Sequence, residues 1–419
     1  MLVRDPVWGD IALPDYMPRL LDTLQMQRLR RVRQLGLAYL VYPGAQHSRF
    51  EHSLGTAHAA GLILGAIGRA ADPWAEAVRI AALLHDIAHA PFGHTFEDER
   101  PLFPRHDTLG RMQAALRGEV GQELRALPAG DGALAILRGE AGVPPWARDI
   151  VSGPLDADLL DYLRRDAYMT GIRQQYDDRV LQTLELLDGH LGVRLERHGR
   201  LRPDARSEIL QLFRMRYLLT ERVYLHHTKI AAGAMLAKAV ELAVEQGLEA
   251  QSLLALVDDA LLALLSGGGY GEEAGQLANA ILRRQIYKRF VVVDRRAVGQ
   301  ERLEELRGRL APPRALRSAE EEIARALGAE PADVVISCPP PPEFREMRVA
   351  SALPDGVFPL DDPAVGDAEA GLLAERYRDL WSLDVFVAPH LRAKDPQAAA
   401  DVLGLDIAPR GARACRDTL

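Results

Sequence analysis

The chain reads as a mainly α-helical protein with a smaller α+β portion towards its C-terminal end. Three observations lead there. Apolar residues recur near every 3.6 positions from Tyr16 to about Thr170, helical patterning returns from Ser207 to about Arg284, and β-branched runs appear only beyond that point. The change of texture divides the chain into residues 1–285, a helical core, and 286–419, a mixed region.

Taken in order, Leu20, Leu21, Leu24, Leu29 and Val32 form the first apolar stripe, with Arg28, Arg30, Arg31 and Arg33 between them. A second helix is expected from Ser53 to Arg69, and a third from Pro73, as its first helical residue, to His89. Pro91 breaks the third pattern, so His94 sits past a turn. The run from Asp156 to Gly171 is again helical, with Gly171 as its C-cap. Residues 191–203 alternate around a His-Gly turn and predict a short hairpin. One long helix is expected from Ser207 to Gln246, with further helices to Arg284. Phe290–Val293, Val334–Ser337 and Leu383–Val387 read as strands, and Pro339–Pro342 is a proline run.

Bulk properties exclude several classes. A formal charge of −8 opposes general nucleic-acid or anionic-membrane binding, though a local basic pocket remains compatible with it. Cys338 and Cys415 are too few for a disulfide scaffold and too far apart for a thiolate zinc motif, which fits a reducing cytoplasm. The N-terminal residues lack the character of a signal peptide, and no apolar run approaches the roughly 20 residues of a membrane span. Of 51 basic residues only four are lysines, so the cationic chemistry is guanidinium, whose fork suits phosphate oxygens.

The chemistry concentrates in residues 85–94, His-Asp-Ile-Ala-His-Ala-Pro-Phe-Gly-His, directly after the apolar run Ile80–Leu84. Seven of the 12 histidines fall between His47 and His106. Imidazoles and a carboxylate at the end of a helix fit for burial are costly unless paired, and a divalent metal would pair them. His85 and Asp86 point about 100° apart on a helix, so other segments must close the coordination shell. His52 and Asp158 are the natural closers. Imidazoles with carboxylate oxygens suit Mn, Fe, Zn or Ni, and a shell completed by water and phosphate suits Mg. His89 lies one turn beyond His85 and His94 follows the Pro91-Phe92-Gly93 turn; with His106 and Glu97 they are candidates for proton handling, since histidine titrates near neutrality.

These pieces occur in a characteristic order. Arg4-Asp5-Pro6, the stretch from Asp22 to Arg30, Gln34-Leu35-Gly36, Pro43 to Gly55 with its Arg-Phe-Glu-His-Ser-Leu-Gly end, the His85–His94 block and Asp156–Asp166 together resemble the HD-domain phosphohydrolase superfamily. The resemblance is strongest to its deoxynucleoside triphosphate triphosphohydrolases (dNTPases), which include mammalian members carrying a SAM domain, and it weakens towards residue 288. The segment ahead of the catalytic region is too short for such a domain, so none is expected here.

The resemblance implies an HD-domain core with His52, His85, Asp86 and Asp158 as metal ligands. It places Arg49 on substrate phosphates, with His89, His94, Glu97 and His106 as the catalytic group around the α-phosphate. It sets Tyr162 and Asp166 beside the sugar, Gln34 and Leu35 at the 3′-hydroxyl and sugar edge, and Arg216 within reach of a phosphate. The implied reaction is metal-dependent cleavage of a dNTP to a deoxynucleoside and tripolyphosphate. Asp22, Gln27 and Arg30, with Arg284 and Lys288, match positions that bind an activating nucleotide between subunits of relatives. A homo-oligomer, dimer or tetramer, activated by a second nucleotide, is therefore the expectation. Leu159 departs from the pattern, standing where relatives carry a phosphate-binding lysine, and His227 replaces another basic residue. An HD-type nucleotidase or phosphodiesterase acting on a monophosphate or signalling nucleotide is the competing enzyme reading. A non-catalytic nucleotide sensor is the competing reading from another class; lost metal ligands would mark it, and all four are present.

Overall fold

The computed structural model of the chain describes residues 1–354, 356–362, 367–405 and 413–414; Cys415 lies outside them. It is mainly α, with a smaller sheet-containing C-terminal portion. A β-hairpin, Leu2–Asp5 paired with Gly9–Ala12, opens the chain. The central helix, Arg49–Ala66, packs against the helices Ala75–Leu84 and Ala157–Thr170. Their facing positions, among them Ala57, Ala60, Ala81 and Leu160, are almost wholly buried.

The central helix begins four residues before the expected Ser53. Ser48 and Glu51 form a capping box in which the Glu51 carboxylate accepts from the Ser48 amide at 2.6 Å, and this cap fixes the start at Arg49. The next helix is shorter than the Pro73–His89 expected, ending at Leu84. Its would-be continuation gives its carbonyls away instead. Arg28 Nη2 donates to the His89 carbonyl at 2.6 Å, and Arg111 donates to that of Ala88. Those guanidiniums hold residues 85–90 as an ordered turn rather than a further helical turn.

The Asp156–Gly171 element forms as read, with the Asp156 side chain capping Leu159 N at 2.8 Å and Gly171 left-handed at φ 73°. The single helix expected from Ser207 to Gln246 is two, Pro203–Leu219 and His227–Glu245. A π-helical turn, Thr220–Tyr224, ends the first, and extended His226 (ψ 125°) caps the second by accepting from Thr228 N. Apolar periodicity runs through such a break without marking it. The hairpin around residues 191–203 is also divided. His190–Arg194 pairs with Leu184–Leu187 and runs parallel to Ala350–Leu353, while the turn at His198-Gly199, both at positive φ, joins only Glu196–Arg197 to Arg200–Leu201.

Beyond residue 285, Lys288–Asp294, Ser382–Val387 and Val334–Ser337 pair antiparallel in one sheet, covered by the helices Pro313–Leu327 and Gln397–Leu403. Buried Arg100 pairs with Glu241 and Glu320, and Lys238 with Glu320 at 3.1 Å, tying this region to the helical part. No helix among the described residues is long and apolar enough to cross a membrane.

Candidate functional site

The central helix, the turn after Leu84 and the Ala157–Thr170 helix bring four side chains to one point. His52 Nε2 lies 2.9 Å from Asp158 Oδ1, and His85 Nε2 lies 3.8 Å from the same oxygen. The ligand atoms of these three residues fall within 4.8 Å of one another. Asp86 stands beside them, its Oδ2 3.7 Å from His52 Nε2 and its Oδ1 3.4 Å from His85 Nε2, and it pairs with Arg49.

The outer nitrogens fix both tautomers. His85 Nδ1 donates to the Ala82 carbonyl at 2.8 Å, leaving Nε2 buried without a partner. His52 Nδ1 donates to Asp161 Oδ2 at 2.8 Å. Asp161 is itself held, since Arg165 grips both oxygens at 2.8 Å and Trp8 Nε1 donates to Oδ1 at 2.6 Å. Asp5 completes the chain by accepting from Arg165 at 2.9 Å. A carboxylate behind a histidine that presents Nε2 is how metal-ligating imidazoles are oriented. Burial pushes the His52 imidazole down, but the hydrogen bonds and charges of Asp158 and Asp161 prevail and lift it to about 10. The carboxylates that favour positive charge at His52 would equally favour a divalent cation, which binds the deprotonated Nε2, so metal and proton would compete there. The donor set of two imidazoles and carboxylates, with an orphaned buried Nε2, fits a divalent metal and leaves its identity among Mn, Fe, Mg, Zn and Ni open.

A second group adjoins the first. His89, His94 and His106 also bring nitrogens within 4.8 Å of one another, and the rings of His89 and His106 stack at 3.6 Å. Glu97 Oε2 accepts from His106 Nδ1 at 3.0 Å and His94 Nδ1 at 3.2 Å, and its Oε1 accepts from the His106 amide at 2.8 Å. Both imidazoles are thereby left with Nε2 as the free nitrogen. Burial works against Glu97 ionising, but the two histidines hold its carboxyl well below the ordinary range. Burial lowers His106, and lowers the fully enclosed His89 further with Arg49 beside it.

A cavity of about 780 Å³ joins the parts. Gln34, Leu35, Arg49, His85, Asp86, His94, His106, Asp158, Tyr162, Asp166 and Arg216 all line it. Asp166 is held by His47 Nε2 at 2.8 Å and Tyr224 Oη at 2.7 Å. Arg216, at the cavity wall, pairs with Glu346, donating from Nε at 3.0 Å, and its guanidinium lies 5.3 Å and 5.4 Å from the ring centres of Tyr162 and Tyr224. Asp22, Gln27, Arg30, Arg284 and Lys288 are not among the lining residues. Gln27 accepts from Arg30 at 2.9 Å and Arg30 covers the Phe50 ring at 3.6 Å, whereas Arg284 is spent on the Leu40 carbonyl.

Sequence reasoning missed the second tier. Asp161 and Arg165 carried a signal, an i,i+4 acid–base pair within Asp156–Asp166, and Asp5 lay in the Arg4-Asp5-Pro6 segment of the resemblance without a role, but Trp8 carried none. Asp258, wholly buried, accepts from Phe92 N at 2.7 Å and Arg33 N at 2.9 Å, joining the turn before His94 to the strap that carries Gln34. Phe92 is left-handed at φ 59°, a conformation a bulky residue holds only under surrounding constraint.

Comparison with known proteins matches residues 49–166 to the HD domain and residues 211–413 to the HD associated region. An uncharacterized protein of Methanocaldococcus jannaschii is 33% identical over 300 residues, covering 69% of this chain and 59% of that protein. The deoxynucleoside triphosphate triphosphohydrolase SAMHD1 homolog of Dictyostelium discoideum is 30% identical over 257 residues, covering 57% of this chain and 48% of that one. The chain thus spans about half the length of these relatives. A crystal structure of a phosphohydrolase from Bacteroides thetaiotaomicron superposes with a TM-score of 0.70 at 24% identity, covering 93% of this chain and all of that one, and shares its fold.

Proposed function

From the premise that this chain is an HD-domain protein homologous to deoxynucleoside triphosphate triphosphohydrolases, we propose that it is a metal-dependent phosphohydrolase that cleaves dNTPs to a deoxynucleoside and tripolyphosphate. The observation that carries this reading is the adjacency of two histidine groups behind the wall of one cavity. His85, Asp86 and Asp158 of the first and His94 and His106 of the second line it, while His52, His89 and Glu97 stand buried behind them. The first group is suited to a cation, and the second is oriented by Glu97 for proton transfer.

His52, His85, Asp86 and Asp158 would hold the metal, which when bound supplies charge to polarise the phosphate and acidify a water. Arg49, buried and paired with Asp86, adds a guanidinium where negative charge builds on phosphate oxygens. Water attacks the α-phosphorus, the bond to the 5′-oxygen breaks, and that oxygen takes a proton to leave as the alcohol. His94 or His106 supplies that proton through Nε2, because Glu97 occupies Nδ1 of both and leaves Nε2 free. Tyr162 and Asp166 follow Asp158 at successive helical turns, so a nucleotide with its phosphate at Asp158 lies along them with its sugar.

One observation favours the narrower substrate of the competing reading. Arg216 is neutralised by Glu346, which together with Leu159 leaves fewer free cations for a polyphosphate. A nucleoside monophosphate or a signalling nucleotide would need fewer.

Chromatography of the products from each of the four dNTPs, with Mg and with Mn, separates the readings. Tripolyphosphate with deoxynucleoside is expected; pyrophosphate or single phosphate rejects the first reading. We further propose a homo-oligomer, dimer or tetramer, activated by a second nucleotide through Asp22, Gln27 and Arg30. Arg30→Ala should then flatten activation without changing metal content, and rates insensitive to added nucleotide in the unaltered protein would refute it.

A further inference from the structure

Glu346 comes from the 3-10 turn Arg345–Arg348, far along the chain from the histidine blocks, yet it lines the same cavity. It is only 8% exposed. Its two oxygens differ. Oε1 takes both Arg216 Nε at 3.0 Å and the Tyr162 hydroxyl at 3.4 Å, which fills its lone pairs. Oε2 is buried and has no hydrogen-bond partner. A carboxylate kept only to neutralise Arg216 would engage the guanidinium fork with both oxygens, as Asp161 engages Arg165. A charged oxygen left unpaired in a buried position is costly unless something else completes it.

Its position narrows what that is. Tyr162 stands one helical turn beyond Asp158, so Glu346 lies past the metal-ligand end of the cavity, among the rings of Tyr162 and Tyr224 that pack about Arg216. A phosphate there would face an anion. A neutral O–H or N–H group would be accepted, and the tyrosine rings offer flat apolar faces beside it.

We propose that Glu346 is a specificity-determining residue that binds the nucleoside half of the substrate, its Oε2 accepting a hydrogen bond from a sugar hydroxyl or a base N–H. The assignment rests on the nucleotide reading above. It makes the C-terminal region a contributor to the pocket, with the phosphates held by the HD segment and the nucleoside read partly by Glu346.

The discriminating variant is Glu346→Gln. It preserves volume, and with its carbonyl kept on Arg216 it turns an amide donor towards the substrate's donor. On metal-loaded protein, KM for dNTPs should rise roughly tenfold or more, the worth of one charge-assisted hydrogen bond. Inhibition by inorganic tripolyphosphate should not weaken. 3′-Deoxy analogues separate the two donors. If the sugar hydroxyl is the partner, the penalty is equal for all four bases and disappears with these analogues; if a base N–H is, it persists and varies with the base. Glu346→Ala, checked for an unchanged melting profile, should raise KM in the same direction. An unchanged KM for every nucleotide, or tripolyphosphate binding weakened in parallel, overturns the assignment. If the unaltered protein hydrolyses no dNTP, the activity reading fails by itself, and calorimetric titration of deoxynucleosides into unaltered and Gln-substituted protein still decides the role of Glu346.

Discussion

Gly55→Ala adds one methyl group in the middle of the central helix, and two effects of opposite sign meet there. Alanine is the better helix former by about 1 kcal/mol, so propensity alone predicts stabilisation. The added Cβ would stand 2.5 Å from Asp161 Cγ and nearer still to Asp161 Oδ1 and Arg165 Nη2. Both side chains are fully buried, and all of Asp161's acceptor capacity is committed to His52, Trp8 and Arg165. The pair has nowhere to move without leaving a charge unpaired, a disruption worth about 3–5 kcal/mol. The collision should therefore win, with a net loss of about 2–4 kcal/mol by difference. His52 loses its orienting carboxylate at the same time, so metal affinity should drop roughly 10–100-fold. Urea unfolding of the chelator-treated protein measures the first effect, and metal titration against a competing chelator the second. A Gly55→Ala protein as stable as the parent, or more so, with undiminished metal affinity would refute the tether from Asp161 to His52.

Asp258→Asn leaves one acceptor short against Phe92 N and Arg33, costing about 1–3 kcal/mol, and should lower kcat while metal content stays full; an unchanged kcat in a protein destabilised by that amount would make Asp258 merely structural. Burial raises the Glu99 carboxyl to about 7 against the pull of Ser337 and Lys229. That folded-state value exceeds the ordinary 4.5, so its contribution to stability is full below about 4.5 and lost as pH rises through 7. Glu99→Gln should accordingly flatten the decline between pH 5 and pH 8 by up to about 3 kcal/mol in denaturant titrations, and an unaltered decline would contradict the burial of that charge. Removing the metal by chelation should lower stability by about 2.7 kcal/mol relative to protein in metal at a hundred times its dissociation constant, and His52→Ala should abolish that difference. A metal-dependent shift that survives in His52→Ala would place the ion elsewhere.

The parts of the site that were legible in the sequence are those made by local spacing. His85, Asp86, His89 and His94 sit in one decapeptide, and Asp158, Tyr162 and Asp166 recur at one helical turn, so a helix pattern alone lines them up. What closes over them from a distance was not legible. Trp8 reaches Asp161 across 153 residues, Asp258 reaches Phe92 across 166, and Glu346 reaches Arg216 across 130; single-sequence periodicity holds no record of such pairings. The fold shows the same division. The three C-terminal strands were readable from β-branched runs, while the π turn at Thr220–Tyr224 was hidden because the apolar pattern continues through it. That turn is where Tyr224 gains its hold on Asp166, so the interruption and the pocket are one feature.

The proposed hydrolysis of a dNTP at its α-phosphorus by the paired histidine groups has a direct isotopic signature. Metal-loaded protein turning over a dNTP in ¹⁸O-labelled water, followed by phosphorus NMR and mass spectrometry of the products, tests it most directly. One labelled oxygen is expected in intact tripolyphosphate, none in the deoxynucleoside, and no label incorporated by the His52→Ala protein. Label in the deoxynucleoside, or pyrophosphate or orthophosphate as the labelled product, would contradict it.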